Sequence, residues 1–259
     1  SSFLRLTSAG AGNYLFHYHQ PGRRQEAGGT ISFTTTRQTG GRRYASMASL
    51  TLEEYVYEPS EDTYLLMDAL DKDRERLGEC KRGITMEIGS GSGVVSKHLI
   101  DLLPHPVLHF ATDLNPSAAK ATRALADKQA NIVEVVQCDL CLPLCRQLEH
   151  AVDVLLFNPP YVVTDTDEVE QDVAARSWAG GVEGMEVTTR ALNLLPSLLS
   201  KEGLAYFVVL EENDPRGIAK VLGPKGIKTT AMLSRRQGDE HLIILRFQWK
   251  KAFKDQLPS

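Results

Sequence analysis

Asn158-Pro159-Pro160-Tyr161 is a stretch whose residue types and order could do chemistry. The two prolines lack a backbone N–H and hold their φ angles fixed, so the turn they make is stiff. Asn158 projects a carboxamide oxygen from that base and Tyr161 sets a flat ring beside it. An acceptor and an aromatic face together can grip a planar group that carries an NH₂ and present its nitrogen for reaction. An Asn before Pro also starts ordinary turns, so the stretch does not speak alone. Three acids upstream give it context: Glu87, Asp113 and Asp139 each close an apolar run. A carboxylate at such a place can accept two hydroxyls of a ribose, as Asp113 would, or the amino group of an adenine, as Asp139 would with Leu140 against the ring.

These side chains must be carried by strands. Ile84-Thr85-Met86, Val107 to Thr112, Ile132 to Cys138 and Val152 to Phe157 are short apolar runs that read as buried strands. Between the first two, Glu87-Ile88-Gly89-Ser90-Gly91-Ser92-Gly93 leads into a helical pattern through Val94, Val95, His98, Leu99, Leu102 and Leu103. Strand, glycine turn and helix in that order form the ligand-binding corner of a doubly wound sheet. The dinucleotide fingerprint would want glycine at 94, which is Val94; the pattern is similar to the first motif of S-adenosylmethionine-dependent methyltransferases. That likeness implies that Gly89 and Gly91 admit the methionine portion of the cofactor, with Glu87 beneath it, while Gly93 permits close packing at the helix start.

Ser60 after Pro59, with Glu61 and Asp62 next, reads as a capped helix start whose acids oppose the macrodipole. The sequence further predicts helices over 169–178 and 185–199, a fifth strand over Leu204–Leu210, and a helix opened by Pro215. A final antiparallel pair, Ile227–Leu233 and His241–Phe247, turns near Gly238-Asp239. The expected fold is α/β, a doubly wound seven-stranded Rossmann-like sheet with a C-terminal antiparallel strand pair and the Ile132–Val136 strand at one edge.

A chain of 259 residues, 42% hydrophobic, can bury one large α/β core. No apolar run reaches the roughly 18 to 20 residues that span a bilayer. Cys138, Cys141 and Cys145 with His150 are loosely spaced for zinc, but no metal site is expected, and four cysteines make no disulfide framework. Residues 1–49 differ from the rest. The first 47 hold six arginines and one acid, Glu26, a formal +5, which leaves −9 on the remainder of a chain of net −4. Such a segment reads as a disordered or transit-like leader. Arg43-Tyr44-Ala45-Ser46 resembles a mitochondrial processing site, whereas Met47-Ala48-Ser49 reads as an ordinary start. The catalytic domain is assigned to 50–249 and a tail to 250–259. The compartment is mitochondrial if the leader is genuine, and otherwise cytoplasmic and nuclear.

From about Tyr55 to Phe247 the chain resembles the HemK-like glutamine methyltransferases, in particular their eukaryotic and archaeal branch. Val56-Tyr57-Glu58-Pro59-Ser60-Glu61-Asp62-Thr63, Glu87 to Val95, Phe157 to Val163, and Trp178-Ala179-Gly180-Gly181-Val182-Glu183-Gly184 carry the resemblance. Glu183 stands where the family often has Asp or Asn. The resemblance implies methyl transfer from S-adenosylmethionine to the side-chain amide of glutamine in the Gly-Gly-Gln motif of a class-I release factor, with a histone lysine as a second substrate. It implies Thr63, Glu87, Gly89, Gly91, Asp113, Asp139, Leu140 and Asn158 as cofactor contacts, and Asn158, Pro159 and Tyr161 as the catalytic grip. It also implies a small zinc-binding activator subunit along the Ile132–Val136 edge. Two other readings compete: a non-enzymatic S-adenosylmethionine-binding scaffold, and an adenine-N methyltransferase acting on DNA or RNA. The scaffold should have lost Asn158 or Tyr161, and the acidic core lacks the basic groove of a nucleic-acid enzyme.

Overall fold

Glu87 and Asn158 stand at neighbouring places because the strands that carry them, β3 and β6, pair side by side. The computed structural model describes residues 3–8, 14–19, 56–80, 82–125, 132–161 and 185–257. The chain divides into two units, 1–51 and 52–259. In the first, β1 (Phe3–Ser8) and β2 (Tyr14–His19) pair as an antiparallel hairpin. The composition of the leader led us to expect no such element there. Averaging over 47 arginine-, serine- and glycine-rich residues hides two short runs, Phe3-Leu4-Arg5-Leu6 and Tyr14-Leu15-Phe16, that suit strands.

The second unit opens with α1 (Glu61–Lys72) and a short α2 (Arg74–Leu77). The alternation that follows is β3 (Ile84–Ile88), α3 (Val94–Leu102), β4 (Leu108–Asp113), α4 (Pro116–Leu125), β5 (Ile132–Gln137) and β6 (Val152–Phe157). Then come α5 (Glu186–Leu198), β7 (Leu199–Leu210), α6 (Pro215–Leu222), β8 (Ile227–Gln237), β9 (Glu240–Trp249) and the short α7 (Lys251–Lys254). One seven-stranded sheet holds them in the order β5-β4-β3-β6-β7-β9-β8. The first five pair in parallel, and β9 pairs antiparallel with both β7 and β8. This is the doubly wound Rossmann-like methyltransferase fold, with β5 at one edge. The chain runs outward from β3 through β4 to β5 and then crosses to β6, so the switch point lies between β3 and β6. Ligands of such sheets bind in the crevice at the carboxyl ends of the strands at that place.

Every residue of β3 and of β6 is buried, as expected of parallel strands covered on both faces. Within β6, Asp153 is the exception to the apolar character. It accepts from the backbone of Arg82 (2.7 Å) and Gly83 (3.0 Å) and from Ser200 Oγ (2.6 Å), which makes its burial affordable. Phe157, Phe207 and Phe247 stack edge to face at 5.4 and 5.3 Å, tying β6, β7 and β9 into the core.

Strands β7, β8 and β9 extend past their predicted limits. β7 begins at Leu199 instead of Leu204, because an irregularity in its pairing with β6 between Val152 and Val154 absorbs Ser-Lys-Glu-Gly, which reads as a turn in sequence. β8 and β9 run on to the Gly238-Asp239 turn, so the final hairpin is longer than its apolar core. The basic residues Arg235 and Arg236 read as a solvated face; Arg235 instead bonds Glu61 and Asp68 of α1 at 2.8 Å each, pinning the helix to β8. The helix expected at 169–178 lies outside the described residues. Among the described residues no helix is long and apolar enough to cross a membrane.

Candidate active site

A cavity of about 900 Å³ opens at the carboxyl ends of β3, β4, β5 and β6. Thr63, Glu87, Gly89, Gly91, Asp113, Asp139, Leu140, Asn158, Pro159 and Tyr161 all line it, so the fold brings every site residue expected from the sequence to one place.

On the β3–β4–β5 side the glycine turn forms a cradle. Gly91 has φ +52°, and a Cβ built there meets nothing within 4 Å: the backbone faces open cavity. Gly93 has φ +79°, and its Cβ would stand 2.9 Å from the Thr122 Cα, which is the close packing expected at the start of α3. Thr122 also braces the turn, with Oγ1 at 2.9 Å from Ser90 Oγ and donating to the Gly91 carbonyl at 3.1 Å. Asp113 accepts from the Gly91 and Asn115 N–H groups at 2.8 Å each, one bond per carboxylate oxygen. A carboxylate has room for more than these donors, so it can still accept from a ribose hydroxyl. Burial pushes the Asp113 carboxyl up, against the pull of those backbone donors.

Two members of this side differ from expectation. Glu87 is not at the strand tip but one residue inside the end of β3, 2% exposed, where burial pushes its carboxyl up to about 8. Asp139 is half exposed and ion-paired with Arg190 of α5, a residue the sequence analysis did not single out. Leu140 holds φ +50°, rare for a residue with a side chain, and is buried in the cavity wall. Cavity size, open glycine backbone and paired acids fit a nucleoside-bearing cofactor with an amino-acid end.

On the β6 side the governing residue is Asp62, whose position in the sequence alone reads as that of a helix-dipole acid. It is 2% exposed and lies at the centre of a cluster. Its Oδ2 accepts from Tyr57 Oη (3.0 Å), Asn158 Nδ2 (2.8 Å) and Tyr161 Oη (3.0 Å). Its Oδ1 accepts from Ser60 Oγ (2.8 Å) and the Thr63 N–H (2.6 Å). The string Tyr-Glu-Pro-x-Glu-Asp-Thr, more specific than capping requires, was the signal for it. Because a carboxylate only accepts, the Asn158 amide nitrogen must face Asp62 and its oxygen must face away. That Oδ1 atom is buried and has no hydrogen-bond partner among the described residues. Desolvation, with Asp62 beside it, pushes the Tyr161 hydroxyl well above its ordinary 10.0, and the same causes push Tyr57 up to about 12. Both phenols therefore serve as donors to Asp62 and neither is poised as a base. The Tyr161 ring remains free to flank a planar group.

Cys141 Sγ lies 3.7 Å from Cys145 Sγ, and Cys138 Sγ turns to the Leu140 carbonyl. Among the described residues no cluster of His, Cys, Asp and Glu could hold a metal ion. The Trp178–Gly184 loop and Val162-Val163 lie outside the described residues.

Residues 59–187 match the model of the methyltransferase small domain family. The human methyltransferase HEMK2 is 44% identical over 192 residues, covering 74% of this chain and 89% of its own. The catalytic subunit mtq2 of the eRF1 methyltransferase of Schizosaccharomyces pombe is 39% identical over 216 residues, 77% of this chain and 92% of its own. Among solved structures, the E. cuniculi Mtq2–Trm112 complex responsible for methylation of the eRF1 termination factor matches with a TM-score of 0.56 and 29% identity, over 75% of this chain and 99% of the other. Likeness of this extent settles the family: the chain belongs to the HemK-like glutamine methyltransferases, in their eukaryotic and archaeal branch.

Proposed function

We propose that this enzyme transfers a methyl group from S-adenosylmethionine to the side-chain amide nitrogen of the glutamine in a Gly-Gly-Gln motif of a class-I release factor. The observation that carries the reading is the buried, unpartnered Oδ1 of Asn158 beside Tyr161, since a buried acceptor left unpaired costs about 1–3 kcal/mol unless a ligand donor fills it.

When bound, S-adenosylmethionine supplies a methyl already activated on a sulfonium. The chain's own residues have to hold the acceptor amide. Asn158 Oδ1 accepts one of its N–H bonds and the Pro159 carbonyl the other. The nitrogen is thereby aimed at the donor side of the cavity at a near-attack distance of roughly 3–3.5 Å. Two accepted hydrogen bonds also raise electron density on a nitrogen whose lone pair is otherwise drawn into its carbonyl, and they strengthen as positive charge develops there. The alkylated nitrogen turns acidic and sheds its proton late, so no strong base is required. Gly89, Gly91, Asp113, Asp139 and Leu140 hold the cofactor, with Asp113 toward the ribose and Asp139 toward the adenine.

A small zinc-binding activator subunit is assigned to the free edge of β5. Ile132 is 57% exposed on that edge, and Leu142, which follows β5, is 49% exposed. An apolar free edge of this kind is a liability that a partner would cover. Histone lysine is the second substrate to be tried, and the cytoplasm the working compartment. The test is to co-express the chain with a candidate small subunit and supply labelled cofactor with a Gly-Gly-Gln protein, its Gln→Ala variant, histone and duplex DNA in separate reactions. Label on the Gly-Gly-Gln protein, absent from the variant, is expected; label on DNA alone would replace this reading with the adenine-N one.

A further inference from the structure

Under the cavity floor, β3, β4 and α3 enclose a file of four polar side chains. Thr85, Glu87, Ser96 and His109 are each at most 4% exposed. Thr85 Oγ1 lies 2.8 Å from His109 Nδ1, His109 Nε2 lies 2.8 Å from Ser96 Oγ, and Ser96 Oγ bonds Glu87 Oε2. Glu87 lines the cavity; the other three do not. The methyl-transfer reading gives Glu87 a ligand to face but leaves Ser96 and His109 without a task.

Every internal member of this file can either donate or accept. A hydroxyl does both, and a neutral imidazole carries one N–H and one bare nitrogen. The file therefore has two self-consistent directions. In one, Glu87 is protonated and donates to Ser96, Ser96 donates to His109 Nε2, and His109 Nδ1–H donates to Thr85. In the other, Glu87 is ionised, Ser96 donates to it, His109 Nε2–H donates to Ser96, and Thr85 donates to Nδ1. An ionised Glu87 only accepts, so it admits the second direction alone, because any mixture would set two bare acceptors face to face in a buried site. A protonated Glu87 opens the first direction, with its proton on the oxygen that meets Ser96. Ionisation at the Glu87 end thus fixes the direction of the whole file.

We propose that Ser96 and His109 are positioning residues that hold Glu87 in either protonation state, and that the file reverses when a cationic ligand enters the cavity and Glu87 releases its proton. The inference rests on the reading of that ligand as S-adenosylmethionine, which carries a sulfonium and an ammonium. Burial pushes the Glu87 carboxyl up to about 8, with Ser96 lowering it through its hydroxyl and backbone N–H and Asp113 raising it through like charge. The free protein therefore keeps that proton near neutral pH, and an adjacent cation favours its loss. Burial also pushes His109 down to about 3, so the imidazole stays neutral in both directions. The balance is simple: the Glu87 O–H bond breaks, one proton passes to solvent, and His109 exchanges an Nδ1–H for an Nε2–H without change of charge.

The test is calorimetric titration of S-adenosylmethionine into the full-length protein in two buffers of different ionisation enthalpy, phosphate and Tris. Near pH 7, roughly one proton should be released per ligand bound, falling toward none above about pH 9. In parallel, the ¹⁵N signals of the His109 imidazole should change from the Nδ1–H to the Nε2–H pattern on binding. Ser96→Ala should abolish that change and weaken cofactor affinity several-fold, and Ser96→Thr, which restores a hydroxyl, should recover both. Heats that agree between buffers, or His109 signals that stay put while ligand binds, overturn the inference and leave the methyl-donor reading standing. No heat in any buffer overturns the methyl-donor reading and the inference with it.

Discussion

The Asp62 cluster and the Glu87 file lie on either side of the same switch point, yet they treat their hydrogen bonds oppositely. Asp62 gathers Tyr57, Ser60, Thr63, Asn158 and Tyr161 around one carboxylate, and the gathering leaves one buried acceptor, Asn158 Oδ1, without a donor among the described residues. Glu87, Ser96, His109 and Thr85 close on one another instead. An incomplete network pays for its vacancy only when a substrate fills it, which suits a site that must grip something briefly. A complete one resists distortion and suits a floor. The difference teaches where turnover and where cofactor retention should be sought.

The contrast can be broken most severely at the vacancy itself. Asn158→Ala should lower turnover by about 10³-fold or more while cofactor affinity, measured by titration, stays within about threefold. Comparable losses in both would mean that Asn158 serves the cofactor instead of the acceptor amide. Next in size is Asp62→Asn, which sets an NH₂ against the amide and phenol donors and frees Asn158 to turn over. Turnover should drop about 10- to 100-fold, and chemical denaturation should show about 1–3 kcal/mol of lost stability. A variant with near-normal turnover would show that Asp62 does not orient Asn158. Tyr161→Phe keeps the ring and removes one donor to Asp62, so a loss of about 1 kcal/mol and less than about tenfold in turnover is expected; a larger loss would assign the hydroxyl a direct part in the reaction.

The smallest effect belongs to the closed file and is read in stability against pH. Glu87 has a folded value near 8 against an ordinary 4.5, so its contribution is fully present below 4.5 and is lost as pH rises through about 8. His109 runs the other way: lowered from 6.5 to about 3, it supports the fold above 6.5 and that support is lost as pH falls toward 3. The two slopes oppose one another below pH 6.5, so thermal melts of the free protein should decline by several degrees from about pH 6.5 to about pH 8, and Glu87→Gln should flatten that limb while leaving the acid-side loss intact. If Glu87→Gln melts with an unchanged slope over that range, Glu87 does not hold its proton in the free protein.

The two edges of the sheet repeat the lesson on a larger scale. β8 is an edge in spatial order but is managed: α1 lies against it, Lys72 Nζ bonds the Met232 carbonyl at 3.1 Å, Arg235 is doubly paired, and the pairing with β9 shifts between Ala231 and Leu233. β5 is short and leaves Ile132 exposed. The apolar character of β5 was legible from its residues, whereas the protection of β8 depended on a helix 160 or more positions earlier in the chain. The same holds in the site. Asp113 and Asn158 announce themselves because they stand at strand ends, and Glu87 and Gly91 because they precede and occupy the glycine turn that follows a strand; strands can be read from local apolar runs. Asp62 and Arg190 could not be placed that way: Asp62 meets Asn158 across 96 positions, and Arg190 meets Asp139 across 51. Gly93 was legible as a glycine in a turn, but the reason for it, the Thr122 backbone pressed against it, came only from α4.

Local sequence was enough to determine the strands, the glycine corner and the Asn-Pro-Pro-Tyr tip, because backbone propensity and apolar patterning act over a few residues. It also determined that a planar amine-bearing group could be held there. Which way the Asn158 amide turns, which acid is buried and which is tied to an arginine were decided only in three dimensions. Hydrogen-bond direction and desolvation depend on what other segments bring within about 3 Å, and no single segment of the chain contains that information.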